Sequence, residues 1–180
     1  GKEGPKEVSR MQEISEYIRE VKPDILCLQE FELNYINTRG YFDSVMEDLP
    51  YKAIFYALDL QHGNGWGLAI YSRYRILDKE RVLFPESTNS AMWTDRLIQR
   101  AQVRVFNCHL QTTGINEEDR GFLRSEAMAM SDSLRNDKAK GILDKLSLNF
   151  KKRATQVDSL AGYIHDGSKQ VIVCGDFNDT

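Results

Sequence analysis

Apolar residues Met11, Ile14, Ile18 and Val21 recur at steps of three and four, the spacing of one helical face, and Pro23 stops the run. A helix over Val8–Val21 is therefore predicted. Ile25-Leu26-Cys27-Leu28 follows as a short continuous apolar run, the pattern of a strand buried on both faces. Tyr41 to Leu49 has the spacing of a short helix closed by Pro50. Ala53–Leu58 and Gly67–Ser72 alternate as strands, separated by the turn-rich Gln61-His62-Gly63-Asn64-Gly65. Further strands are predicted at Arg81–Phe84, Ala91–Thr94 and Val103–Leu110.

Glu117 to Lys145 is charged and helix-prone, with Leu123, Ala127, Met130 and Leu134 at helical spacing. It has the character of an insertion. A further helix places Phe150, Ala154, Val157, Ala161 and Ile164 on one face, expected to pack on a sheet. Val171-Ile172-Val173-Cys174 repeats the buried-strand pattern, so Ile25–Leu28 and Val171–Val173 are expected as adjacent central strands. With no repeat, linker or low-complexity tract, residues 1–180 read as a single α/β domain.

Composition narrows the class. The chain is 41% hydrophobic and 28% charged, which suits a soluble domain with a substantial core. Its net charge of −3 lacks the basic excess of a dedicated duplex binder. Phosphate chemistry remains open, because a metal ion can supply the positive charge. Cys27, Cys108 and Cys174 lie in apolar runs without zinc spacing and read as buried free thiols. They fit a reducing compartment such as the cytoplasm. No membrane span is visible, and an upstream targeting or anchor segment stays open because the sequence starts at Gly1 without Met. Localisation and oligomeric state are not legible.

Three core strands end in chemically competent groups: Glu30 after Ile25–Leu28, His109 within Val103–Leu110, and Asp176 with Asn178 after Val171–Cys174. A carboxylate at the mouth of a buried strand is costly unless a cation or donors satisfy it. Repeating that arrangement is what a site at the strand ends of an α/β sheet requires. Glu30 and Asp176 offer hard oxygens suited to Mg²⁺ or Mn²⁺, and His109 can donate to a phosphate oxygen or shuttle a proton. Taken singly, each has a plain reading: a solvated cap, a structural histidine, an ordinary Asp-Phe-Asn-Asp turn. Spacing alone leaves both readings open. His62, Asn64 and His165 read as loop or surface groups, Trp66 and Trp93 as core, and Lys151-Lys152-Arg153 as a solvated face.

Ile25-Leu26-Cys27-Leu28-Gln29-Glu30, Asn107-Cys108-His109-Leu110 and Gly175-Asp176-Phe177-Asn178 resemble three ordered motifs of the endonuclease/exonuclease/phosphatase superfamily. Gly67–Ser72 resembles its G-x-A-I-x-S strand, and Arg153 with Gln156 its R-x-x-Q helix. The resemblance spans nearly the whole chain. It implies an α/β fold, a two-sheet β-sandwich flanked by helices in four layers (α/β/β/α). It also implies a first strand bearing an Asn and a final strand bearing an Asp-His pair, so the chain is expected to be incomplete at both ends.

The resemblance assigns Glu30 as the magnesium ligand and His109 as the histidine contacting the scissile phosphate. It assigns Asp176 to the attacking water or the leaving group, and Asn178 to the phosphate. The implied activity is Mg²⁺- or Mn²⁺-dependent hydrolysis of a phosphate ester by in-line attack of water, on phosphodiesters such as nucleic acid. The alternatives are a phosphomonoesterase or lipid-headgroup phosphodiesterase on the same fold, and a non-catalytic binding module. Cys174 before Gly175, and Asp179-Thr180 after Asn178, depart from the inositol-polyphosphate phosphatase branch.

Overall fold

A computed structural model describes residues 5–33, 44–60, 64–85, 87–124, 131–165 and 169–179. Helix α1 (Pro5–Val21) leads into strands β1 (Ile25–Leu33), β2 (Tyr51–Leu60) and β3 (Asn64–Ser72). Strands β4 (Asp78–Leu83), β5 (Ser90–Ile98) and β6 (Ala101–His109) come next. Helices α2 (Glu117–Arg124) and α3 (Asp132–Ile164) precede β7 (Gln170–Asp176). The strands form a three-stranded sheet ordered β1-β3-β2 and a four-stranded sheet ordered β4-β5-β6-β7. All pairings are antiparallel except β6–β7, which is parallel and joined through the crossover helix α3.

Three apolar clusters separate four layers. Ile18 of α1 packs with Phe31, Ala69 and Tyr71 on the outer face of the first sheet. Ala53, Phe55, Leu68 and Ile70 meet Met92 between the sheets. Leu160 of α3 packs with Trp93, Phe106 and Cys108 on the outer face of the second sheet. The expected sandwich of two sheets covered by helices is the one observed.

Three expectations about packing are corrected. Ile25–Leu28 and Val171–Val173 are not adjacent in one sheet: β1 borders one sheet, β7 borders the other, and they meet across the sandwich. Ile172 is 50% exposed rather than enclosed. A run of apolar residues encodes buried area but not which ladder a strand joins. On α1, Ile14 and Val21 point outward, and Ser15 and Ile18 are the residues inside.

The third correction concerns α3. Phe150 and Val157 are 43% and 49% exposed, and the buried stripe is Ile142, Asn149, Arg153, Gln156 and Leu160. That stripe faces chain leaving β6 and β7, whose backbone groups need partners more than they need hydrocarbon. Asn149 donates to Thr113 O at 3.1 Å, and Gln111 N donates to Gln156 Oε1 at 2.8 Å. Hydrophobic periodicity cannot mark a face selected for hydrogen bonding.

The helix-prone segment after Glu117 resolves into α2 and the first half of α3, while Ala127 and Met130 lie outside the described residues. His62 and Tyr41 also lie outside them; Ser44 and Val45 are helical. Cys108 is buried, but Cys27 and Cys174 are only half-buried; all three are free. Among the described residues, no helix is long and apolar enough to cross a membrane.

Candidate active site

The site begins with an irregularity in β1. Leu28 pairs with Ala69 and Phe31 with Gly67, so three steps along β1 oppose two along β3. One residue is extra, a β-bulge at Gln29-Glu30. Without it, Leu28 and Phe31 would point to opposite faces; with it, both join the layer under α1. Glu30 takes the left-handed backbone conformation (φ 51°), and its side chain, 67% exposed, leaves the core. A second bulge lies opposite, between Tyr56 and Leu58 of β2. Between them β3 runs so close to β2 that a Cβ on Gly67 would stand 1.9 Å from Phe55 O, which excludes any side chain there.

His109 ends β6 with its ring 6% exposed and Nε2 3.9 Å from Glu30 Oε1. The Trp66 indole packs beside the imidazole, centroids 5.8 Å apart and planes at 58°. Trp66 is thus half-buried at the site rather than in the core, whereas Trp93 is buried as expected.

In the parallel register His109 stands beside Asp176, and Leu110 N donates to Asp176 O at 2.9 Å to extend the ladder by one step. Gly175 makes this approach possible. Its φ is 145°, and a Cβ would lie 2.0 Å from Cys108 O. After Asp176 the chain turns sharply: Asn178 N donates to Asp176 Oδ1 at 2.9 Å, with Asn178 at φ 51°. Asn178 Nδ2 donates to Leu110 O at 2.9 Å.

Arg153 holds this turn from behind. Its Nη1 donates to Asn178 O at 2.7 Å and Gln111 O at 3.0 Å, and its Nη2 lies 3.3 Å from Asp179 Oδ1. Arg153 is 7% exposed, so it does not share a solvated face with Lys151 and Lys152. The structure therefore brings Glu30 to His109, sets Asp176 beside His109, and ties Asn178 to Asp176. His165 is exposed at the end of α3, its Nδ1 2.8 Å from Ala161 O, and takes no part.

Two residues of the site were not singled out from sequence. Asn107, wholly buried, donates through Nδ2 to Leu28 O at 2.9 Å and Ala69 O at 3.0 Å. Its Oδ1 accepts from Gln29 Nε2 at 2.5 Å. The available signal was position: Asn107 precedes His109 by two on one strand and shares its face, and Gln29 adjoins Glu30.

Among the described residues, no three His, Cys, Asp or Glu side chains converge to hold a metal by themselves. Glu30 offers an exposed carboxylate that, among the described residues, no lysine or arginine engages in an ion pair, which suits a hard cation that keeps most of its water.

No curated protein matches the sequence. Among solved structures, a humanized D. rerio TDP2 carrying 14 mutations matches 95% of this chain at 17% identity, TM-score 0.62. D. rerio TDP2 complexed with single-strand DNA product matches 96% at 15% identity, TM-score 0.60. Sphingomyelinase C from Streptomyces griseocarneus matches 92% at 16% identity, TM-score 0.59. The chain spans 59%, 55% and 57% of those three chains, less than two thirds of each, and at these identities the likeness is one of fold. The sequence itself is more specific. The family model described as "Endonuclease/Exonuclease/phosphatase family" matches residues 2–180, and the chain belongs to that family.

Proposed function

We propose that this chain carries the reaction centre of a divalent-metal-dependent phosphoester hydrolase acting on phosphodiesters, with nucleic acid as substrate and Mg²⁺ (or Mn²⁺) as the ion. The observation that carries the reading is the convergence of Glu30 and His109, from different sheets, at 3.9 Å beside the Asp176–Asn178 turn. The family membership and the TDP2 fold bound to single-strand DNA product support it.

Glu30 would hold the ion, with Asp176 beside His109 in the parallel register. When bound, the ion supplies positive charge to the phosphoryl oxygens, which this chain of net charge −3 does not supply in bulk. His109 Nε2 points to the Glu30 side of the cleft, where its N–H donates to a phosphoryl oxygen. Asp176 Oδ1 is occupied by Asn178 N–H, which fixes the carboxylate plane and leaves Oδ2 to take a proton from the attacking water. Asn178 Nδ2 spends one hydrogen on Leu110 O and has a second for the phosphate. Residues 117–145 are the element we assign to substrate choice, and Lys145–Asp119 at 2.7 Å and Lys138–Glu118 at 2.6 Å tie α2 to α3 within it.

The test is turnover by the full-length protein on plasmid, oligonucleotide, a small phosphomonoester and a sphingolipid headgroup, with Mg²⁺ and with EDTA. Chelator-sensitive cleavage of the DNA substrates is expected. Cleavage confined to the monoester or the lipid reassigns the substrate class. No turnover on any substrate favours a binding module.

A further inference from the structure

Glu30 faces His109 across two sheets that share no ladder, so something other than backbone pairing must fix their spacing. Hydrophobic packing between the sheets does not discriminate at the scale of a hydrogen bond. Moreover, Glu30 lies in a bulge, and a bulge leaves its extra residue outside the ladder. A non-glycine residue with φ 51° is also in a sparsely populated region, which persists only where its surroundings over-determine it.

One side chain bonds to this stretch from the facing sheet. Asn107 is fully buried on β6, two residues before His109 and on the same face. It reaches across to the first sheet and donates to two carbonyls, Leu28 O on β1 at 2.9 Å and Ala69 O on β3 at 3.0 Å. Leu28 and Ala69 are the last paired residues before the register shift. Its remaining acceptor takes Gln29 Nε2 at 2.5 Å, from inside the bulge and next to Glu30. One carboxamide thus uses both amide hydrogens and its oxygen to join β6, β1 and β3 at the point where the strand breaks register.

We infer that Asn107, with Gln29, is a positioning clamp that fixes the Glu30 bulge against His109. The inference rests on the reading of Glu30 and His109 as one reaction centre. Neither clamp residue touches substrate; both act through Glu30, as supporting hydrogen bonds do for ligands in metal sites. An aspartate or a leucine at position 107 would lose both donations to Leu28 O and Ala69 O.

Gln29→Ala is the discriminating variant, because it removes the bond inside the bulge and leaves Asn107 bonded to both carbonyls. Asn107→Ala is measured beside it in the full-length protein, at temperatures where circular dichroism matches the parent. The readouts are kcat, Mn²⁺ affinity of the free protein by electron paramagnetic resonance, and a cycle with Glu30→Gln. We expect Gln29→Ala to lower kcat and weaken Mn²⁺ binding by roughly 10- to 100-fold, with KM little changed. On the Glu30→Gln background the same change should alter the residual rate less than about twofold, because both act through one group. Gln29→Ala with parental kcat and Mn²⁺ affinity, or effects that multiply fully with Glu30→Gln, would overturn the clamp alone. A fully active Glu30→Gln protein would overturn the reading of the site, and the clamp with it.

Discussion

Glu30 and His109 approach to 3.9 Å although Glu30 sits in a bulge within β1 and His109 ends β6, strands of different sheets. The relationship makes the proposed reaction centre a property of how the sheets are stacked, so residues well behind it govern its geometry. Arg153 is the clearest case on the β7 side.

Arg153→Ala should destabilise the protein by about 2–4 kcal/mol, because Asn178 O and Gln111 O lose their donor in a half-buried setting. Arg153→Lys should recover little, since one ammonium cannot replace a planar fork reaching both carbonyls. Urea denaturation of the three proteins measures this. Equal stability would mean that water takes over both carbonyls and that the turn is not held by Arg153.

Asp95 should set part of the acid limb of stability. Burial pushes its carboxyl up, but hydrogen bonds from Arg104 at 2.7 and 2.9 Å and from Lys169 at 2.6 Å outweigh that and hold it below the usual range. A depressed carboxyl stabilises the fold above its unfolded value of ~3.9, and that contribution is lost as pH falls through the lower folded value. Asp95→Asn should therefore cost about 3 kcal/mol at pH 7, since it removes the buried negative charge that faces Arg104 and Lys169, and should flatten the decline between pH 5 and 2. Thermal melts across that range check it; an unchanged acid limb would contradict it.

The three thiols should differ in reactivity. The neighbouring Cys174 sulfur and burial push the Cys27 thiol up, whereas the same pairing holds Cys174 below the usual thiol range. Burial pushes Cys108 up to about 12. At pH 8 iodoacetamide should label Cys174 first and Cys108 last, as peptide mass spectrometry would show. Labelling of Cys108 ahead of Cys174 would contradict the assignment.

The strands, and the candidate residues that the structure brings near one another, were legible because both leave strong marks. Continuous apolar runs give strands, and a polar group at the end of such a run stands out, as Glu30, His109 and Asp176 do. What the pattern could not carry was pairing and facing. Ile25–Leu28 and Val171–Val173 look alike, yet they border different sheets. On α3 the apolar stripe through Phe150 and Val157 looks outward, because Asn149, Arg153 and Gln156 are needed inside for backbone groups. Asn107 stood in a quoted motif yet received no role for the same reason: a buried amide is identified by the carbonyls it reaches, which are distant in sequence.

The most direct measurement is the Mg²⁺ dependence of phosphodiester turnover by the full-length protein and by its Glu30→Gln variant. Glu30 is 67% exposed, so the substitution should leave stability within about 0.5 kcal/mol. The account expects saturable Mg²⁺ activation of the parent, silence in EDTA, and a variant slower by about 100-fold or more that needs higher Mg²⁺. Turnover that survives EDTA, or a variant as fast as the parent at the same Mg²⁺, would contradict it.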